Sequence, residues 1–195
     1  AYEIYQCDWS SDVCSSDLAI VNLSGYDPYA ATVSKLKSQG FKACVLMSGL
    51  FGWTAANFAL RSVAKEAADA AMPLQICVRH PLDLALAADA AGPSGGPVML
   101  RWMRGGGYTI MQDLLAIGRE YSNILIDVGT LTQSGAIDHM AARLGPDRLF
   151  IGSSMPESHG ASAWFLLAAS DLDPEARRMI GGGSLANMLG LAKPE

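Results

Sequence analysis

The side chains able to do chemistry in this 195-residue chain sit just past short apolar runs. His80 follows Leu-Gln-Ile-Cys-Val78 in the turn Arg79-His80-Pro81, and Asp127 closes the run Ile124-Leu-Ile-Asp127. Ser154 and His159 lie beyond Arg148-Leu-Phe-Ile151, with Glu157 between them. A carboxylate, an imidazole and a hydroxyl in such turns supply acid–base and nucleophilic chemistry, so Asp127, His80 and Ser154 are the candidate catalytic residues. Arg104, Arg79, Trp53 and His159 occupy neighbouring turns and are the candidate substrate contacts. The arginines, with Arg101 near them in sequence, suit a carboxylate or a phosphate.

Each candidate also has a plainer reading. His80 reads as a loop imidazole bonded to backbone, and Asp127 as a cap on its own loop. Trp53, Trp102 and Trp164 read as core or pocket wall. Ser154 and His159 form a weak nucleophilic pair, because nothing local builds an oxyanion hole. His139, mid-helix beside Asp138, reads as an exposed surface residue. The triplet Gly105–Gly107 precedes a helix and suits an anion, but it lacks the lysine or dinucleotide spacing that makes such loops specific.

Residues 1–18 are set apart by composition, being rich in Ser and Asp and without periodicity. They resemble the in-frame translation of a sequencing-library adapter, so the expectation is a non-native segment over 1–18 and a domain over 19–195, outside fold reasoning and inside it respectively. The 14 basic and 19 acidic residues give a net charge of −5. Glu3, Asp8, Asp12 and Asp17 fall in the first segment, which leaves 14 against 15 and a near-neutral domain. Such a balance offers no electrostatic footprint for nucleic acid or an anionic membrane. Cys44 and Cys77, both inside apolar runs, give no disulfide framework and suit a reducing, cytoplasmic compartment. An exported form stays open, because the native start is expected to lie before residue 19. No apolar stretch approaches the ~18–20 residues that span a bilayer. With 50% apolar residues the chain can bury one core.

Those turns must be held by the elements between them. Near-continuous apolar runs predict strands over 19–23, 41–47, 74–78, 97–103, 123–127 and 148–151. Helical spacing and caps predict helices from Asp27 to Gln39, from Thr54 to Ala71, over 82–91, over 108–120 and over 137–144. A buried helix is expected over 161–169. Another opens at Asp173-Pro174-Glu175 and stops at Gly181–Gly183, before a last apolar turn over 185–191. The loop Ser48–Trp53 is expected to expose its aromatics. About six βα units with strands apolar on both faces indicate a parallel α/β fold, with a doubly wound sheet as the alternative to a barrel.

Several of these stretches resemble the amidohydrolase-related branch of the amidohydrolase superfamily. Leu144-Gly-Pro-Asp-Arg-Leu-Phe-Ile-Gly-Ser-Ser-Met-Pro156 is similar to its last-strand signature, in which an Asp serving the metal follows Gly-Ser; here Ser154 stands there. Met72-Pro-Leu-Gln-Ile-Cys-Val78 resembles a strand that ends on a metal-binding His, with Cys77 at that place. Arg104-Gly-Gly-Gly-Tyr108 is similar to the family's His-x-Gly-Gly, with Arg104, or Met103 in another register, where His is expected. Tyr121 to Gly129 is similar to its Asn-to-Asp strand, and Met179 to Leu191 resembles its closing segment, with Ser184 in place of an Asn.

The resemblance implies a (β/α)8 TIM barrel, incomplete here and truncated at its N-terminal side. It also implies a divalent metal such as zinc, whose bound water ionises near pH ~7, and hydrolysis of a C–N or C–O bond or decarboxylation of a small carboxylic acid. In this chain the three ligand positions hold Cys77, Arg104 and Ser154, so the expectation is no resident metal. Two functions follow: a metal-poor hydrolase or lyase using Arg104, Asp127 and His80 on a small anionic substrate, or a non-catalytic homologue that binds a ligand, self-associates or pairs with an active relative. Residues 19–195 alone should be poorly stable, since missing strands leave edges unpaired; a cooperative, monomeric thermal melt of that fragment would count against the truncation.

Overall fold

The computed structural model describes residues 18–27, 30–48, 53–105, 107–152 and 160–191. Six strands form among them: β1 (Leu18–Ile20), β2 (Ala43–Met47), β3 (Leu74–Val78), β4 (Val98–Trp102), β5 (Ile124–Asp127) and β6 (Leu149–Phe150). They follow one another in sequential order in one sheet, and β1/β2, β2/β3 and β5/β6 pair parallel. A doubly wound sheet reverses its order at a switch point. The sequential order is that of a TIM-barrel-type α/β fold, with six strands described where a closed barrel has eight. Leu18, assigned with the non-native segment from sequence, opens β1 and pairs with Ala43 of β2.

The chain divides into two compact units, residues 1–98 and 99–195. In the first, α1 (Thr32–Ser38), α2 (Ala59–Asp69) and α3 (Pro81–Ala91) follow β1, β2 and β3. Its core is built from Leu36, Leu46, Leu60, Leu74, Ile76 and Leu84, all fully buried. The apolar runs become strands because parallel strands are covered on both faces and need no polar alternation.

α1 and α2 supply each other's missing caps. Ala31 at the start of α1 is left-handed (φ 48°) and offers no side-chain acceptor. Glu66 of α2 replaces it: Oε1 accepts from Val33 N at 2.8 Å and Ser34 N at 3.2 Å, while Oε2 accepts the Tyr26 hydroxyl at 2.6 Å. Lys37 of α1 in turn donates to the carbonyls of Ala70 and Ala71 at the end of α2. Burial, with Glu66 as hydrogen-bond partner and negative neighbour, pushes the Tyr26 hydroxyl well above its ordinary pKa.

α2 begins later than the sequence suggested. Thr54 does not cap it; Asn57 Oδ1 accepts from Ala59 N at 2.8 Å, and Ala55 N is held by Asp83 Oδ1 at 2.9 Å. α1 likewise begins at Thr32, and Pro28, the expected opening residue, lies outside the described residues.

The second unit holds β4 to β6 with α4 (Tyr108–Glu120), α5 (Ala136–Leu144), α6 (Gly160–Ala168), α7 (Pro174–Arg178) and α8 (Ser184–Leu189). Gly118 lets α4 close on its neighbours: a Cβ there would lie 2.7 Å from Leu144 Cδ1 and 2.9 Å from Ile126 Cδ1. Arg148 joins α4 to β5 through Nη2, which faces the carbonyls of Gly118, Tyr121 and Ile124 at 3.2, 2.8 and 2.7 Å. Because Pro146–Arg148 form a 3-10 turn, β6 is shorter than the expected 148–151.

One further expectation changes. α6 is not a buried helix: Ala163 and Leu167 are buried, but Trp164 and Phe165 are 52% and 73% exposed. It is apolar on both faces with only one of them packed. The glycines 181–183 do interrupt the helical path as expected: Gly182 is non-helical, and the chain kinks there between α7 and α8. No helix among the described residues is long and apolar enough to cross a membrane.

Replacing Glu66 by Ala should destabilise the chain by about 1–2 kcal/mol, because it uncaps α1 and strands the Tyr26 hydroxyl. Tyr26→Phe removes only one of those bonds and should cost less. Urea unfolding of both variants checks the order; equal losses would show that Glu66 does not cap.

Candidate functional site

Parallel sheets place chemistry at the C-terminal ends of their strands. In the second unit, the ends of β4, β5 and the segment after β6 bring together Arg101, Asp127, Gly129 and Gly152. Asp127 is the last residue of β5 and pairs in register with Phe150, which sets Gly152 beside it. Its side chain is completely buried. Oδ1 accepts from Gly129 N at 2.8 Å and from Gly152 N at 3.0 Å. Oδ2 lies 3.2 Å from Arg101 Nε, close enough for an ion pair but off-line for a directed hydrogen bond.

Both glycines are required by this crowding. A Cβ at 129 would come within 2.5 Å of the Gly152 carbonyl oxygen, and one at 152 within 2.6 Å of Asp127 Oδ2. The electrostatics oppose one another. Burial pushes the Asp127 carboxyl above its ordinary value, while Arg101 and the Gly129 and Gly152 amides pull it down; burial wins. Nearby, Thr130 Oγ1 donates to the Trp102 carbonyl at 3.1 Å, tying the loop after β5 to the end of β4.

The other sequence candidates fall as follows. Arg104 is exposed just after β4, and neither Gly105 nor Gly107 is closely approached by other atoms. Packing therefore does not require glycine at either of these two positions. Ser154, Glu157 and His159 lie outside the described residues. In the first unit His80 is exposed and its Nδ1 accepts from Leu82 N at 3.3 Å, capping α3 as the plainer reading had it. Arg79 is exposed beside it. Trp53 is not exposed in its loop; it is 4% accessible, and its buried indole Nε1 finds no partner among the described residues.

Cys77 is buried, with Gln75 Nε2 at 3.4 Å from Sγ. Cys44 is also buried, which pushes its thiol up to about 12 and leaves it unreactive at neutral pH. His139 is half-buried rather than exposed, with Nδ1 3.0 Å from Arg143 Nη1.

A divalent cation needs several anionic or imidazole donors converging on one point. Among the described residues, no three His, Cys, Asp or Glu side chains do so. Asp127 is already held on Oδ1 by two amides and faces on Oδ2 a guanidinium, itself a cation. These residues do not fit the metal that the resemblance implies.

No family model and no curated protein matches the sequence. Solved structures do match in fold. An uncharacterised TIM-barrel protein from Bordetella bronchiseptica superposes with a TM-score of 0.70 at 14% identity, over 89% of this chain and 66% of that one. A 5-carboxyvanillate decarboxylase from Sphingomonas paucimobilis gives 0.67 at 13% identity, over 90% and 66%. A 2,6-dihydroxybenzoate decarboxylase from Rhizobium gives 0.66 at 14% identity, over 89% and 70%. The chain thus spans about two thirds of the length of these proteins, and the likeness establishes the TIM-barrel-type fold.

Because the folded state holds the Asp127 proton to higher pH than the unfolded chain, which titrates near ~3.9, this group's contribution to stability is fully present below that value. It is lost as pH rises through the raised folded value. The stability of the wild type relative to Asp127→Asn should therefore fall as pH rises from about 4. Urea unfolding across that range checks the sign, and a relative rise with pH would overturn it.

Proposed function

We propose that this protein is a hydrolase- or decarboxylase-type barrel that binds a small carboxylic acid through arginine at the strand ends of its second unit. The observation that carries the reading is the chemistry at those ends: Arg101 and the exposed Arg104 stand there, and Asp127 is committed to internal donors. Guanidinium groups recognise planar carboxylates through paired N–H donors. The fold shared with decarboxylases of aromatic acids supports an organic acid as the ligand class. Hydrolysis of a C–N or C–O bond is the companion reaction class suggested by the sequence resemblance. Cys44 and Cys77, both buried and not joined in a disulfide, accord with a reducing, cytoplasmic setting.

The sealing of Asp127 favours a second reading. With no accessible area and two amides on one oxygen, this carboxylate is poorly placed to take a proton from substrate. A homologue that binds an acid without turning it over, alone or paired with an active relative, fits that geometry.

Titration calorimetry of the chain with benzoate and 2,6-dihydroxybenzoate, beside a carbon dioxide release assay, separates these outcomes. Binding with a Kd of about 1 mM or tighter is expected; release marks the lyase and its absence the binding homologue. No binding of either acid would overturn both. Elemental analysis should find no stoichiometric zinc, manganese or iron after growth in metal-replete medium, and about one metal per chain would sink the arginine-based account.

A further inference from the structure

We propose that the uncovered face of α6 is a self-association surface, through which two copies of the chain pair antiparallel about a two-fold axis. This goes beyond the acid-binding reading and stands independently of it.

α6 has no polar face to offer water. Residues 160–170, Gly-Ala-Ser-Ala-Trp-Phe-Leu-Leu-Ala-Ala-Ser, contain no charged side chain. A surface helix ordinarily sets a charged face opposite its apolar stripe, and a helix apolar all round is a covered one. Ala163 and Leu167, four residues apart, make the side that packs on the protein. At 100° per residue Phe165 falls on the opposite side, and it is 73% exposed. Trp164 stands on the flank, its ring against Gly181, where a Cβ would sit 3.4 Å from Cζ3.

The relief of that face is what a second copy fits. Around Phe165, positions i−4, i−3, i+3 and i+4 are Ala161, Ser162, Ala168 and Ala169, all exposed. One ring therefore projects from a surround of small residues, so knob and recess lie on the same helix. In an isologous pair every contact is made twice, with the roles exchanged. Set antiparallel with Phe165 over Ala168 of the second copy, each ring enters the recess of the other.

Charge agrees with that register. It brings Asp171, exposed just beyond the end of α6, towards the first turn of α6 in the second copy. There the helix dipole presents its positive end. Asp138 Oδ1 accepts from Asp171 N at 2.8 Å, which holds Asp171 in place. A parallel pair would instead set each Asp171 beside the other. A lipid surface is the poorer occupant, because helices that lie in one carry Lys or Arg on their polar face, and α6 carries neither.

The area sets the strength. Trp164 and Phe165 together leave about 250–300 Å² uncovered, judged from the area such rings bury when enclosed. A stable interface takes about 800 Å² from each partner. The association is therefore weak and reversible, with a Kd on the order of 10–100 μM.

Sedimentation velocity of the chain from about 5 μM to about 500 μM tests this, with circular dichroism to check the fold of each variant. The wild type should pass from monomer to dimer and stop there. Phe165→Glu, which charges the knob, and Ala168→Trp, which fills the recess, should each weaken the dimer by about tenfold or more. Leu82→Glu, at an exposed apolar residue of α3, should leave it unchanged. Asp171→Lys should weaken it by about threefold to tenfold, and most at low salt.

Should Phe165→Glu fail to fold, Phe165→Ala removes the ring without adding a charge and must also lose the dimer. A wild type still monomeric at about 500 μM would overturn the proposal. So would growth beyond the dimer, which a closed two-fold contact does not produce. Dimer affinity kept within about twofold in both Phe165→Glu and Ala168→Trp would place any interface elsewhere and overturn it too. Unchanged affinity in Asp171→Lys would overturn the antiparallel register. Binding of a monomeric wild type to phosphatidylglycerol vesicles, lost in Phe165→Glu, would assign the face to lipid instead. Each of these failures leaves the acid-binding reading standing, since α6 contributes no residue to it.

Discussion

A single carboxylate with no accessible surface sets the terms for the second unit. Asp127 ends β5 inside the protein, where an ion without compensation costs several kcal/mol. The structure answers with two backbone amides and one guanidinium. Each answer fixes something else. The amides hold the turn after β5 against the segment leaving β6, the close approach excludes a side chain at Gly129 and Gly152, and the guanidinium fixes the end of β4. Three strand ends are thereby locked to one atom group.

The same logic recurs wherever a polar side chain is drawn inside. Glu66 unites Tyr26 with the start of α1, Arg148 gathers three carbonyls from the end of α4 and the start of β5, and Ser184 Oγ lies 3.1 Å from the carbonyls of both Pro146 and Met179. They join elements that the apolar core alone would leave free to slide, since burial of apolar area is non-directional and hydrogen bonds are not. The fold they hold together is the TIM-barrel type shared with the solved structures.

Much of this was legible in the sequence, for identifiable reasons. β3 and α4 coincide with their expected bounds, because a continuous apolar run and a clean 3.6-residue spacing are local signals. The order of alternating elements was enough to expect a parallel α/β sheet, and the resemblance pointed to the barrel over the doubly wound alternative. The start of α2 was misread because Thr54 and Asn57 are both good caps, and tertiary contacts decided between them. Trp53 was read both as an exposed loop aromatic and as core, and proved to be core, while α6 with Trp164 was read as buried and is half exposed, because composition reports apolarity and cannot say which face finds cover.

Asp127 stood out at a strand end, but its partner did not. Arg101 was one of several nearby arginines, and only its position on the strand preceding β5 could have marked it. Arg148 lies inside the motif that carried the resemblance, yet its role is structural: it satisfies backbone carbonyls.

The mutual capping of α1 and α2 bears on how this architecture can change. Barrels of repeated βα units invite the idea that a unit can be duplicated, exchanged or grafted as a cassette. Here the Glu66 that starts α1 belongs to the following unit, and the Lys37 that finishes α2 belongs to the preceding one. A cut between them would leave one helix without donors satisfied at its head and the other without acceptors satisfied at its tail. Asp83 of α3 likewise holds the Ala55 amide ahead of α2, so a cut after α2 also severs such a tie, and the smallest transferable piece of this half of the chain runs from α1 through α3.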